Sequence, residues 1–199
     1  MFLVIFVVLA LATVPLARGH LTRLADLHLR AVPIVFAALV VQILVISLVD
    51  GGPDWLHPAL HISTYFVALW FVFLNRSVPG AWIIGAGGLC NFLAIAANEG
   101  TMPASAAAVR SAGVARGSQV FANSGVVAHP RLGFLGDMFS IPASWPIHNV
   151  FSVGDVLIGV GAFVLVHRVC GSRLFPRWTL ATAGRDAGCP KGSPPDEHP

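Results

Sequence analysis

The chain has 199 residues, of which 56% are hydrophobic and 11% charged, with a mean hydropathy of +0.78. An ordinary soluble domain carries about 25% charged residues, so this composition predicts an integral membrane protein with much of its exterior in lipid. The net charge of +3 does not point to nucleic acid, because the basic residues are scattered beside apolar segments. Cys90, Cys170 and Cys189 lack metal-ligand spacing and read as free thiols. The chain contains no phosphate loop, dinucleotide fingerprint, HExxH or GxSxG, which removes the motif support for most soluble enzyme classes.

Five apolar segments follow in chain order, and each is expected to be a transmembrane helix: about 1–17, 31–49, 58–74, 80–97 and 150–169. No basic residue precedes the first, so it reads as a retained span rather than a signal peptide. Residues 31–49 hold only Gln42 and Ser47 as polar side chains. The third segment starts wetter, with His61, Ser63 and Thr64, and the fourth carries Gly85, Gly87 and Gly88, which permit close helix packing. Nine of the twelve basic residues fall on one side of these spans: Arg18, Arg23, Arg30, Arg76, Arg168, Arg173, Arg177, Arg185 and Lys191. Only Arg110, Arg116 and Arg131 fall on the other, which predicts an amino terminus outside and a carboxyl terminus in the cytoplasm.

The connection 98–149 is expected to be an ordered extracytoplasmic loop, since Phe121, Phe134, Leu135, Met138, Phe139, Ile141 and Trp145 are too apolar for a free chain. It should open with a short helix over 105–115, capped by Ser105. The 171–199 tail is expected to be cytoplasmic, and from 184, where Pro, Gly and charge dominate, disordered. The fold class is thus an all-α membrane protein, a five-helix bundle in one domain.

Polar groups gather around the loop side of the bundle. His57 and His61 share a helix face, Asn98 and Glu99 end the fourth segment, and His129, Asp137 and His148 lie in the loop. Their spacing is too unspecific for a metal centre, and no metal or cofactor is expected. Asp155 lies near the start of the fifth segment, where it complements a helix amino terminus capped by Asn149 or Ser152; a proton-handling or ligand-binding role is the alternative. Gln42 and Asn91 are expected to hydrogen-bond between helices.

Three stretches carry a resemblance: Asn98-Glu-Gly-Thr-Met-Pro-Ala-Ser105, Leu135-Gly-Asp-Met-Phe-Ser-Ile-Pro142 and Phe151-Ser-Val-Gly-Asp-Val-Leu-Ile-Gly-Val-Gly161. Together with Leu24-Ala-Asp-Leu-His-Leu-Arg30, they make the chain similar to a family of small bacterial multi-span membrane proteins known only as a domain of unknown function. The resemblance covers nearly all but the tail, and implies a bacterial plasma-membrane location. It adds Met102, Pro103, Gly136 and Gly154 to Asn98, Glu99, His129, Asp137, Asp155 and His61 as ligand-binding or structural candidates; catalytic residues stay unassigned. The leading functional expectation is non-catalytic binding of a partner or small ligand through the loop. An intramembrane enzyme using Asp137 and Asp155 is second, and a small transporter third. The expected partners are the lipid bilayer and a membrane protein or small ligand at the outer face.

Overall fold

Ser152 starts the last long helix by a reciprocal bond. Its Oγ accepts from the Asp155 amide at 3.0 Å, while its own amide donates to Asp155 Oδ2 at 3.1 Å. This capping box satisfies two amides that the first helical turn leaves without partners. The computed structural model describes residues 2–48, 56–113 and 124–175. In chain order its helices are α1 (Phe2–Leu16), α2 (Val32–Leu48), α3 (Leu56–Leu74), α4 (Ala81–Ala97), α5 (Ala106–Ala112) and α6 (Val153–Val169). The strands are β1 (Met102–Pro103), β2 (Ser124–Gly125), β3 (Phe139–Ile141) and β4 (Asn149–Phe151). β1 pairs in parallel with β2, and β3 runs antiparallel to β4 with Phe139 opposite Phe151 and Ile141 opposite Asn149.

Backbone chemistry decides where the long helices stop. After α1 the Gly19 amide donates to Val14 O at 2.9 Å and the Arg18 amide to Pro15 O at 3.0 Å, with Arg18 at φ 57°. After α4 the Gly100 amide reaches Ile95 O at 2.9 Å across Glu99, also at φ 57°. Both ends are Schellman turns, which require a left-handed residue and usually employ glycine. The end of α6 uses glycine: Gly171 stands at φ 64° and the Ser172 amide donates to His167 O.

Among the described residues, no helix is long and apolar enough to cross a membrane. The expected five-span transmembrane bundle is therefore incorrect, although each apolar segment does carry a helix. α1, α4 and α6 run for 15, 17 and 17 residues, or about 23–26 Å, against an apolar bilayer core of about 30 Å. α3 reaches 19 residues, but its first turns contain His57, Pro58, His61, Ser63 and Thr64. The inside and outside assignments rested on those spans and lose their basis with them. The tail expected to be disordered from 184 lies outside the described residues, as do Arg116 and Phe121.

The tightest pairing joins α4 to α6, because glycines let the two backbones touch. A Cβ on Gly87 would stand 2.5 Å from Gly154 O, and one on Gly161 would stand 2.8 Å from the Ile84 amide nitrogen. α1 packs along the other side of α6, burying Val14 against Val166 and Cys170 with Leu11, Leu24 and Leu165 around them. His167, wholly buried, fixes this seam: Nε2 lies 3.1 Å from Thr13 Oγ1 and Nδ1 2.9 Å from Ser172 Oγ. The Thr13 hydroxyl lies within donating distance of the Leu9 and Ala10 carbonyls, which leaves it to accept from Nε2–H and leaves Nδ1 to accept from Ser172. α3 packs between α4 and α2.

Candidate functional site

The segment after α4 returns to the bundle through backbone bonds around Asp137. The Asp137 amide donates to Pro103 O at 2.9 Å, the Ser105 amide to Asp137 O at 3.0 Å, and the Ala104 amide to Gly125 O at 2.8 Å. Gly136 permits this docking, since a side chain there would run into the Pro103 carbonyl. The Asp137 carboxylate is 6% exposed and accepts from Ser124 Oγ at 2.9 Å. Burial pushes its pKa up to about 6; the Ser124 bond opposes the shift and the nearby Asp155 charge adds to it. Tyr65 feels the same surroundings, its pKa raised to about 12 by burial, then by Asp155 and Asp137. The two carboxylates and the phenol therefore form one electrostatic cluster, with Met102 buried beside Tyr65.

Asp155 belongs to a closed ring of bonds. Asn91 Nδ2 donates to Asp155 Oδ1 at 3.0 Å, and Ser152 Oγ donates to Asn91 Oδ1 at 2.8 Å while accepting from the Asp155 amide. Asn91 is thus committed to α6, and Gly154 lies so close to it that any side chain there would meet Asn91 Oδ1. Both Asp155 oxygens have internal partners, which fits a fastening between α4 and α6 better than a reacting group. Ser105 precedes α5 in the expected cap position, but its side chain makes no capping bond. The side chain of His61 lies outside the described portion of the structure.

Three candidates meet at a surface hollow of about 420 Å³, lined by Ala97, Asn98, Glu99, Thr101, Val127, His129 and Arg131. Asn98 builds its wall: Oδ1 accepts the Arg131 amide at 2.9 Å, and Nδ2 donates to Arg131 O and to Ala94 O, each at 2.7 Å. The Asn98 amide group thereby holds residue 131 beside the end of α4 and sets the spacing between Glu99 and the two bases. Met102, Pro103, Gly136, Asp137, Gly154 and Asp155 do not line the hollow. Arg131 and Thr101 were missed as candidates; Arg131 is 33 residues from Asn98, and only the fold announces their contact. Among the described residues, no three His, Cys, Asp or Glu side chains are grouped to hold a metal ion.

The hollow, the Asp137 docking site and the Asn91 ring all lie within residues 26–167, the stretch matched by the model of a family of unknown function, DUF5317. No significant match was found among curated proteins or among solved structures. Since the family model covers well over half of the sequence, the chain belongs to the family of unknown function DUF5317.

Proposed function

We propose that this protein is a non-catalytic binding module, and that a small polar ligand occupies the hollow between the end of α4 and residues 127–131. The carrying observation is Glu99. It holds φ 57° at the Schellman position where glycine would relieve strain on the order of 1 kcal/mol, and it is one of the residues that line the hollow. A strained residue whose replacement would be stabilising is what a binding role retains. With Glu99, His129 and Arg131 all among the lining residues, the site suits a ligand bearing both an anionic group and a cationic or donor group, such as a small zwitterion.

Calorimetric titration with free glycine, with inorganic phosphate and with ammonium, on the parent and on Glu99→Gly, tests this. Glycine should bind best to the parent. Glu99→Gly should melt at a higher temperature, by about 1 kcal/mol of stability, while binding glycine at least about tenfold more weakly. Unchanged binding in the variant would overturn the reading. A catalytic use of Asp137 and Asp155 finds support only in the raised Asp137 pKa, and the internal bonding of Asp155 weighs against it.

A further inference from the structure

One end of the bundle concentrates the basic side chains. Arg18, Arg23 and Arg30 come from the connection between α1 and α2, Arg76 from the turn after α3, and Arg173 from the segment after α6; all five are exposed. Backbone bonds gather these segments: the Arg173 amide donates to Ala17 O at 2.9 Å and the His20 amide to Cys170 O at 3.0 Å. Asn75 joins the third, its Oδ1 accepting the Arg30 amide at 2.8 Å and its Nδ2 donating to Arg30 O at 3.1 Å. Arg168, in the last turn of α6, adds a sixth guanidinium, whose Nε is buried without a hydrogen-bond partner. Among the described residues this end has a single acid, Asp26, whereas Glu99, Asp137 and Asp155 belong to the opposite end.

Beside the arginines the same end exposes large apolar side chains. Leu16 is 82% exposed, Leu174 57%, Ile34 55% and Phe73 47%. The Arg76 guanidinium lies 4.7 Å over the Phe73 ring, so cation and apolar surface are in direct contact. We propose that this end docks on an anionic lipid surface, with the arginines at headgroup phosphates and the neighbouring apolar side chains at the acyl boundary. Charge complementarity selects an anionic partner, and the interleaved exposed leucine, isoleucine and phenylalanine select a lipid over a nucleic acid, whose phosphates offer no apolar layer beneath them. Such docking requires no helix to cross the bilayer, and it is independent of the hollow at the other end.

Flotation of the full chain with phosphatidylcholine vesicles, with and without phosphatidylglycerol, tests the assignment. Binding should require phosphatidylglycerol and weaken as sodium chloride is raised. Replacing Arg18, Arg30 and Arg173 together by Gln should weaken it roughly fivefold per arginine, while Arg110→Gln at the opposite end should leave it unchanged. Circular dichroism establishes that the triple variant is folded; if it is not, Arg173→Glu alone carries the test, with a larger expected loss than a neutral change at that position. Equal binding to neutral and anionic vesicles, insensitivity to salt, or displacement from vesicles by a single-stranded DNA oligomer would each overturn the proposal.

Discussion

Asp137 binds its proton more tightly in the folded chain than in the unfolded one, and its surroundings explain the direction. Burial disfavours the charge and Asp155 repels it, while the Ser124 hydroxyl only partly compensates. With the folded pKa raised from 3.8 to about 6, the group's contribution to stability is complete below the unfolded value and is lost as pH rises through the folded one. Melting temperature should therefore fall between about pH 4 and about pH 6 and then level off. Asp137→Asn, which keeps an acceptor for Ser124, should flatten this dependence and be more stable than the parent at about pH 8 by about 1–3 kcal/mol. A variant that retains the parent's pH profile would show that another group sets it.

Helix contacts in this protein depend on which glycines face a backbone. Gly87 and Gly161 lie in the α4–α6 seam with backbone atoms within 3 Å of where a Cβ would stand, and backbone cannot move aside as a side chain can. Gly88, one residue on, faces only Leu69 Cδ2 at 3.6 Å. Chemical denaturation should thus show Gly87→Ala and Gly161→Ala destabilised by about 1–3 kcal/mol or more, and Gly88→Ala neutral or stabilised by up to about 1 kcal/mol. The sequence shows three glycines in one apolar segment without showing which of them meets α6. Element positions were legible, because apolar runs bounded by Arg, Gly and Pro leave few places for helices to begin and end. The crossing of a membrane was not: α1 and α4 end where the apolar runs end, but at 15 and 17 residues they reach only about 23 and 26 Å, short of an apolar bilayer core of about 30 Å. Asn98 and Glu99 could be singled out as polar residues ending an apolar run. Arg131 could not, since its place in the hollow follows from backbone bonds to a side chain distant in sequence.

Across the molecule, packing is uneven. α4 and α6 form the best-connected pair and α1 adds to α6, whereas α2 packs chiefly on α3 and exposes Ile34, Phe36, Leu39, Val40 and Val41. Native-state hydrogen exchange followed by mass spectrometry should rank protection in that order, with α4 and α6 slowest and α2 fastest among the long helices. Uniform protection across the five long helices described would indicate one cooperative unit and contradict the hierarchy. The gathering of Arg18, Arg23, Arg30, Arg76 and Arg173 at one end is equally a property of the whole. It arises because the long helices alternate in direction, so that Arg18, Arg76 and Arg173 meet although they are far apart in the chain.

The bond between Thr13 and His167 closes a loop of 154 residues, so α1 has no partner for its buried face until nearly the whole chain exists. At ribosomal rates of about 5–20 residues per second, that is a wait of roughly 10–30 s during synthesis. Ala10 and Val14, the residues of α1 that the fold buries, are made long before Val166 and Cys170, against which Val14 packs. For the nascent chain, α1 is made well before the helix that covers it, and is the one most in need of a chaperone or a lipid surface.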